Sequence, residues 1–230
     1  MFPLCAYTIS LILTIANNNN MKSFQEFLIE GAKQVQCDIN GICKVIKEYE
    51  SAGNEEKVLS VYKDSKGLST IGHGHLVTPE SSKIFSELNI SPDILSGKGK
   101  LTPDQANKLL ERDVKTRLPQ VQKLVPKFNE YSTELQGQLA SEQFRGMLGK
   151  SPSALKKLSA GDFSGASTEY LNAKDYRESV RDKTGIAPRM KKLADAIRTE
   201  PERQKKRQQS SQQTTQAPQS PSTSQTQPSR

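Results

Sequence analysis

From Ile42 to Arg198 the apolar residues recur at helical spacing, broken at intervals by Gly and Pro, and the pattern resolves into one early strand pair followed by a run of helices. The clearest helix opens at Thr102-Pro103-Asp104-Gln105. There Thr caps, Pro takes the first turn, Gln stands at the capping-box position, and Ala106, Leu109, Leu110, Val114 and Leu118 make one stripe. Further stripes lie at Leu135, Leu139, Phe144 and Met147, at Leu155 and Leu158 before Gly161, at Phe163 to Leu171, and at Met190, Leu193 and Ile197. Two short runs, Val58 to Tyr62 and Leu68 to Gly72, are joined by the turn-rich Lys63-Asp64-Ser65-Lys66-Gly67 and predict a β-hairpin. Gly72 and Gly74 mark a place where the backbone bends or is closely approached. The predicted class is α+β, mostly helical, with a small β-hairpin lobe near its start.

The ends of the chain read differently. Residues 1–20 hold an uncharged apolar stretch, Phe2 to Ala16, then four asparagines, with a second methionine at Met21. The apolar stretch is shorter than the roughly 20 residues of a spanning helix, and it lacks the basic start of a secretory signal. An upstream extension before a start at Met21 is the expectation, with a membrane contact through residues 2–16 as its rival. Residues 21–41 predict an amphipathic helix and linker on Phe24, Phe27, Leu28 and Val35. Residues 42–200 form the predicted globular domain. Residues 201–230, rich in Gln, Ser, Thr and Pro, are expected to be disordered, because they have too little apolar surface to offset chain entropy.

The hydrophobic fraction of the 230-residue chain is 33%, low enough to support an unfolded segment outside one domain. The net charge is +8, which suits a polyanionic partner, although no recognition motif for nucleic acid is present and none is expected as a partner. Cys5, Cys37 and Cys43 are too few and scattered for a disulfide scaffold, and with two histidines they make a metal site improbable. No metal and no cofactor are expected.

A domain without those devices has paired carboxylates as its first route to catalysis. Asp64 stands in the hairpin turn and Thr70 in its second strand, while Glu48, Glu50, Glu55 and Glu56 precede the hairpin. Glycosidic cleavage needs one protonated carboxyl to serve the leaving oxygen and one ionised carboxyl on the other face of the sugar. By composition alone such acids are most often just solvated.

The string Tyr62-Lys63-Asp64-Ser65-Lys66-Gly67-Leu68-Ser69-Thr70-Ile71-Gly72-His73-Gly74-His75 resembles the YxDxxGxxTIGxGH signature of the phage lysozymes of glycoside hydrolase family 24, the T-even phage type. The resemblance continues through Leu101 to Val114, Leu155 to Ala166, Tyr176 and Ala187-Pro188-Arg189. It implies a lysozyme-like fold with the glycan in a cleft between the hairpin lobe and a helical lobe. It also implies that Asp64 and Thr70 hold the attacking water and that a Glu ending the first helix is the general acid. Glu50, in Glu50-Ser51-Ala52-Gly53, matches best, with Glu48, Glu55 and Glu56 as competitors because the stretch to Tyr62 is longer than the family's. His75 and Asp113 fall on a structural pair. His73, Arg145 and Arg189 fall at substrate-binding positions; His73 is either a surface or cleft-edge residue or a sugar contact, Arg145 replaces the family's usual Asn or Gln in the cleft wall, and Arg189 is either a cleft contact or a surface charge.

The activity implied is that of an N-acetylmuramidase, which hydrolyses the β-1,4 bond between N-acetylmuramic acid and N-acetylglucosamine by inversion, with carboxyls roughly 6.5 to 9.5 Å apart. The partner implied is bacterial peptidoglycan, met by a monomer whose basic surface favours the anionic envelope. Two settings follow: an endolysin in the host cytoplasm before its release to the periplasm and cell wall, or a component of the virion tail that contacts tail or baseplate subunits. The alternative is a lysozyme-like domain of reduced activity that binds glycan or serves as a structural tail component.

Overall fold

The computed structural model describes residues 37–50, 55–64 and 67–214, with side chains described as far as residue 210. The expected features in residues 1–36 and 215–230 lie outside the described residues.

Asp38 opens the first helix, α1 (Ile39–Glu50), by accepting the Gly41 amide at 2.9 Å. Its apolar residues at Ile42, Cys43, Val45, Ile46 and Tyr49 repeat at three and four and are all buried. The boundary expected between residues 41 and 42 therefore falls inside a helix. A single short turn, α2 (Glu55–Val58), comes next.

Then β1 (Tyr62–Lys63), β2 (Ser69–Ile71) and β3 (His75–Leu76) form an antiparallel sheet in that order, with Tyr62 opposite Thr70 and Ile71 opposite His75. The predicted hairpin is present, but its strands are shorter and a third is added. Val58 ends α2 instead of starting β1, and its carbonyl accepts the Gly72 amide at 2.8 Å, so it serves the turn after β2 rather than a ladder.

Helix α3 (Ser81–Glu87) and a 3-10 turn at Pro92–Ser96 lead to α4 (Pro103–Leu124), which begins with the predicted capping box: Gln105 N–H to Thr102 Oγ1 at 3.2 Å and Thr102 N–H to Gln105 Oε1 at 2.9 Å. All five residues of its predicted stripe are buried. Helix α4 serves two cores. Ala106 and Leu109 join Ile71, Phe85, Ile90, Ile94 and Leu101 under the sheet, while Leu110, Val114, Leu118 and Val121 join the larger helical core with Ile42, Ile46, Phe128, Leu135 and Leu139.

That larger core is built from α1, α4 and α5 (Thr133–Phe144) with α6 (Pro152–Ser159), α7 (Phe163–Leu171) and α9 (Ile186–Thr214); α8 (Lys174–Arg181) links the last two. Helix α5 is the central element and is buried from Leu135 to Glu142. Its Gly137 lets α1 approach, since a Cβ there would stand 2.5 Å from Val45 Cβ. Its buried amides are paired. Gln136 Nε2 donates to the carbonyls of Phe128 and Tyr131 at 3.0 and 3.2 Å, and Gln138 Nε2 to the Tyr49 hydroxyl at 2.5 Å.

The disorder expected from residue 201 is corrected over 201–214, where α9 continues without a break through Pro201. The cause is a polar seam. Glu200, fully buried, accepts the Ser132 amide at 2.7 Å and the Ser132 hydroxyl at 2.5 Å, and pairs with Arg207 at 2.9 Å. Arg207 in turn donates to the carbonyls of Tyr131 and Glu130, both at 3.0 Å. The two helical turns after Glu200 are thus tied to the start of α5 without any apolar residue.

Candidate active site

Glu50 is the last residue of α1, so its carboxylate stands at the negative end of the helix dipole and calls for a countercharge. Arg189, in the first turns of α9, supplies it. Nη1 reaches Glu50 Oε1 at 3.0 Å, and Nη2 donates to the Tyr49 carbonyl at 2.6 Å, one of the carbonyls left open at a helix end. The guanidinium also lies 5.8 Å from the centre of the Tyr49 ring, over which Lys192 stands at 4.5 Å. The sequence offers a glycan contact or a surface charge for Arg189; the structure adds a third task, holding Glu50.

The other side of the Glu50 carboxyl meets backbone. Gly72 and Gly74 have φ of +62° and +93°. A Cβ at Gly74 would sit 3.5 Å from Glu50 Oε2. The bend and the close approach expected of these glycines are both present. Glu50 is 18% exposed, whereas Glu48, Glu55 and Glu56 are all exposed, and Glu56 is engaged with Lys100 at 3.7 Å. Of the four acids that compete before the hairpin, Glu50 is the one set partly out of water against a guanidinium.

Asp64 closes the turn after β1. Its Oδ1 accepts the Leu68 amide at 2.8 Å, its own amide donates to the Leu68 carbonyl at 2.9 Å, and its carbonyl takes the Gly67 amide at 3.0 Å. Thr70, buried on β2, donates its hydroxyl to the same Leu68 carbonyl at 3.3 Å. The Leu68 carbonyl thus ties the Asp64 backbone to the Thr70 side chain. The Leu68 side chain itself is 46% exposed.

Tyr62 joins the two halves of the site. Its phenol is pushed up to about 12 by burial first and then by the charges of Glu50 and Asp64, with the Gly74 amide and Arg189 pulling weakly the other way. No role is assigned to Tyr62 from the sequence; its place at the head of the signature string is the available signal.

The remaining predicted residues fall outside this group. His75 and Asp113 form the expected pair, Nδ1 to Oδ2 at 2.7 Å, and His75 Nε2 lies 3.0 Å from Ser81 Oγ, so that β3, α3 and α4 are joined. Arg145, expected at the cleft wall, caps α5 and donates to the buried Glu142 at 2.7 Å. A carboxylate taken out of water needs such a partner, and this ties Arg145 to the helical core.

His73, expected at the surface or at a sugar, is 6% exposed because the two left-handed glycines fold it inward. Burial, helped by the Lys47 charge and opposed by Glu55, lowers its pKa below 6.5. The unfolded chain then takes up the proton more readily than the folded one, so this residue contributes stability above pH 6.5 that is lost as pH falls from there toward its lowered value. We expect urea melts between pH 7.5 and 5 to show a shallower loss of stability for His73→Gln than for the wild type; equal slopes would rule this contribution out.

Among the described residues no cluster of three or more His, Cys, Asp or Glu is placed to hold a metal, and no helix is long and apolar enough to cross a membrane. The arrangement offers one carboxyl beside an arginine and a second carboxyl with a hydroxyl on the hairpin.

Among curated proteins, the chain is similar to the peptidoglycan hydrolase gp36 of Enterobacteria phage SP6, with 31% identity over 123 residues, 50% of this chain and 12% of that protein. The chain thus spans a small part of that relative's length. Compared with protein families, residues 47–190 match the phage lysozyme family. The matched segment covers more than half of the chain and runs from the last turn of α1, with Glu50, through the hairpin to Arg189, and the chain belongs to the phage lysozyme family.

Proposed function

We propose that this protein hydrolyses peptidoglycan as an N-acetylmuramidase, breaking the β-1,4 bond between N-acetylmuramic acid and N-acetylglucosamine. The observation that carries the reading is the Glu50–Arg189 pair at the end of α1, set across Tyr62 from an Asp64 and a Thr70 that share the Leu68 peptide. Family membership and the phage SP6 relative, a peptidoglycan hydrolase, support peptidoglycan as the substrate.

In this scheme Glu50 delivers a proton to the glycosidic oxygen as the bond to the departing sugar breaks. Asp64 and the Thr70 oxygen hold a water on the opposite face. Asp64 accepts its proton as the water's oxygen adds to the anomeric carbon, a single displacement with inversion. Arg189 positions the acid between turnovers.

The test is fragment analysis. The full chain is incubated with purified peptidoglycan, and fragments ending in reducing N-acetylmuramic acid are expected. Fragments ending in reducing N-acetylglucosamine, or in 1,6-anhydromuramic acid, would replace the proposal with a different bond or a transglycosylase.

One observation favours a second reading of the setting. The matched segment is 12% of its phage SP6 relative, so a module like this one also works inside a far longer phage protein. A place in the virion tail would keep the same chemistry, and immunodetection on purified particles separates it from a free endolysin.

A further inference from the structure

Tyr62, half-buried on β1, touches several parts of the site. Lys57 Nζ covers its ring at 5.0 Å from the centroid. Its hydroxyl donates a long hydrogen bond, 3.4 Å, to the Gly72 carbonyl, and the Gly74 amide faces the phenol oxygen. Those two glycines are the left-handed residues of the turn that lies on Glu50, where a Cβ on Gly74 would stand 3.5 Å from Oε2 and 3.6 Å from Cδ. On the other side, the strand register sets Tyr62 directly opposite Thr70 and two residues before Asp64.

We infer that Tyr62 is a positioning residue whose hydroxyl holds the Gly72–Gly74 turn down on the Glu50 carboxyl and so fixes that carboxyl relative to Asp64 and Thr70. Glycine residues at positive φ have no side chain to pack the turn in place, and a φ well is shallow for them. The turn is held by the Val58 carbonyl on the Gly72 amide and by the pairing of Ile71 with His75, and the phenol adds a tie on the Glu50 side, bonded to the first residue of the turn and faced by its last. The phenol also remains a donor throughout the neutral range, since burial and the neighbouring carboxylates oppose its ionisation. Phenylalanine would fill the same volume and keep the Lys57 contact, but it would leave the Gly72 carbonyl without this donor and loosen the turn on its Glu50 side. Displacing a reacting group by a fraction of its working distance lowers turnover more than substrate binding.

The inference rests on the reading of Glu50 as general acid and deepens it. In the full chain, Tyr62→Phe, Glu50→Gln and the double variant are compared with the wild type by kcat and KM on soluble glycan strands. Each rate is normalised to the folded fraction measured by circular dichroism at the assay temperature, so partial unfolding of a variant is removed from the comparison. Tyr62→Phe is expected to lower kcat by roughly 10- to 100-fold with KM nearly unchanged, and to add no further loss in the Glu50→Gln background. Turnover of Tyr62→Phe equal to the wild type overturns the proposal, as does a loss confined to KM or the same fold-loss in both backgrounds. Full activity of Glu50→Gln overturns the reading of Glu50 itself, a result distinct from an inactive Glu50→Gln beside an unimpaired Tyr62→Phe.

Discussion

Replacing Glu50 by Gln is expected to slow glycan cleavage by roughly 10²- to 10⁴-fold, the range that a positioned general acid supplies, while the protein stays folded. The amide oxygen of Gln can still accept the Arg189 Nη1 hydrogen bond made at 3.0 Å in the wild type, so the packing of α1 on α9 has little reason to change. What is lost is the proton. Asp64→Asn is expected to show a loss of similar order for a different reason, since the turn can keep its Leu68 bond while the base for the water is removed. Glu48→Gln, at an exposed position on the same helix, is expected to retain activity. Clearing of purified peptidoglycan with reducing-end assay distinguishes these cases. An active Glu50→Gln beside an inactive Glu48→Gln would move the acid two residues back along α1 and leave Arg189 with no acid to position.

Glu200→Ala is expected to have the largest effect on stability, about 2 to 4 kcal/mol, because it strands buried donors rather than merely removing a charge. The Ser132 amide and hydroxyl both donate to this carboxylate, and Ser132 is also the cap of α5, with its oxygen 3.3 Å from the Leu135 amide. Arg207 would lose its ion pair but keep the two backbone carbonyls it holds. Its side chain is 45% exposed, so Arg207→Ala is expected to cost less, about 1 kcal/mol, after solvent screening. Chemical denaturation of the two variants, with exposed Glu202→Ala as a control, measures the difference. A Glu200→Ala protein as stable as the control would mean that the seam is not what holds the start of α5 to α9.

The parts of this molecule written in local chemistry were the legible ones. Thr102 and Gln105 announce a helix start because the bonds that cap it run between neighbours, and the stripe after them has a period that a single helix face demands. The residues Asp64, Thr70, Gly72 and Gly74 were readable through the signature string and its resemblance. The same string left Tyr62 silent, since its significance lies in a turn ten residues on and a helix end before it. His73 was misjudged because a polar residue in a glycine-rich turn is exposed unless the turn folds inward, which only positive φ values reveal. Residues 201–214 were misjudged for a related reason. Counting apolar residues weighs burial and overlooks Glu200 and Arg207, whose partners, Glu130 to Ser132, lie some seventy positions earlier. Arg145 likewise takes its meaning from Glu142, a carboxylate that no periodicity marks as buried.

The Leu68 peptide separates what a position contributes from which residue occupies it. Its amide and carbonyl hold Asp64 and Thr70, while its side chain points into solvent. Drift at this site would therefore be nearly invisible to the chemistry so long as the newcomer has an amide hydrogen, and proline is the one natural residue that lacks it. The tip of the hairpin is thus an attachment point: a dye or a bulky apolar group placed on residue 68 is expected to leave its backbone bonds to Asp64 and Thr70 in place.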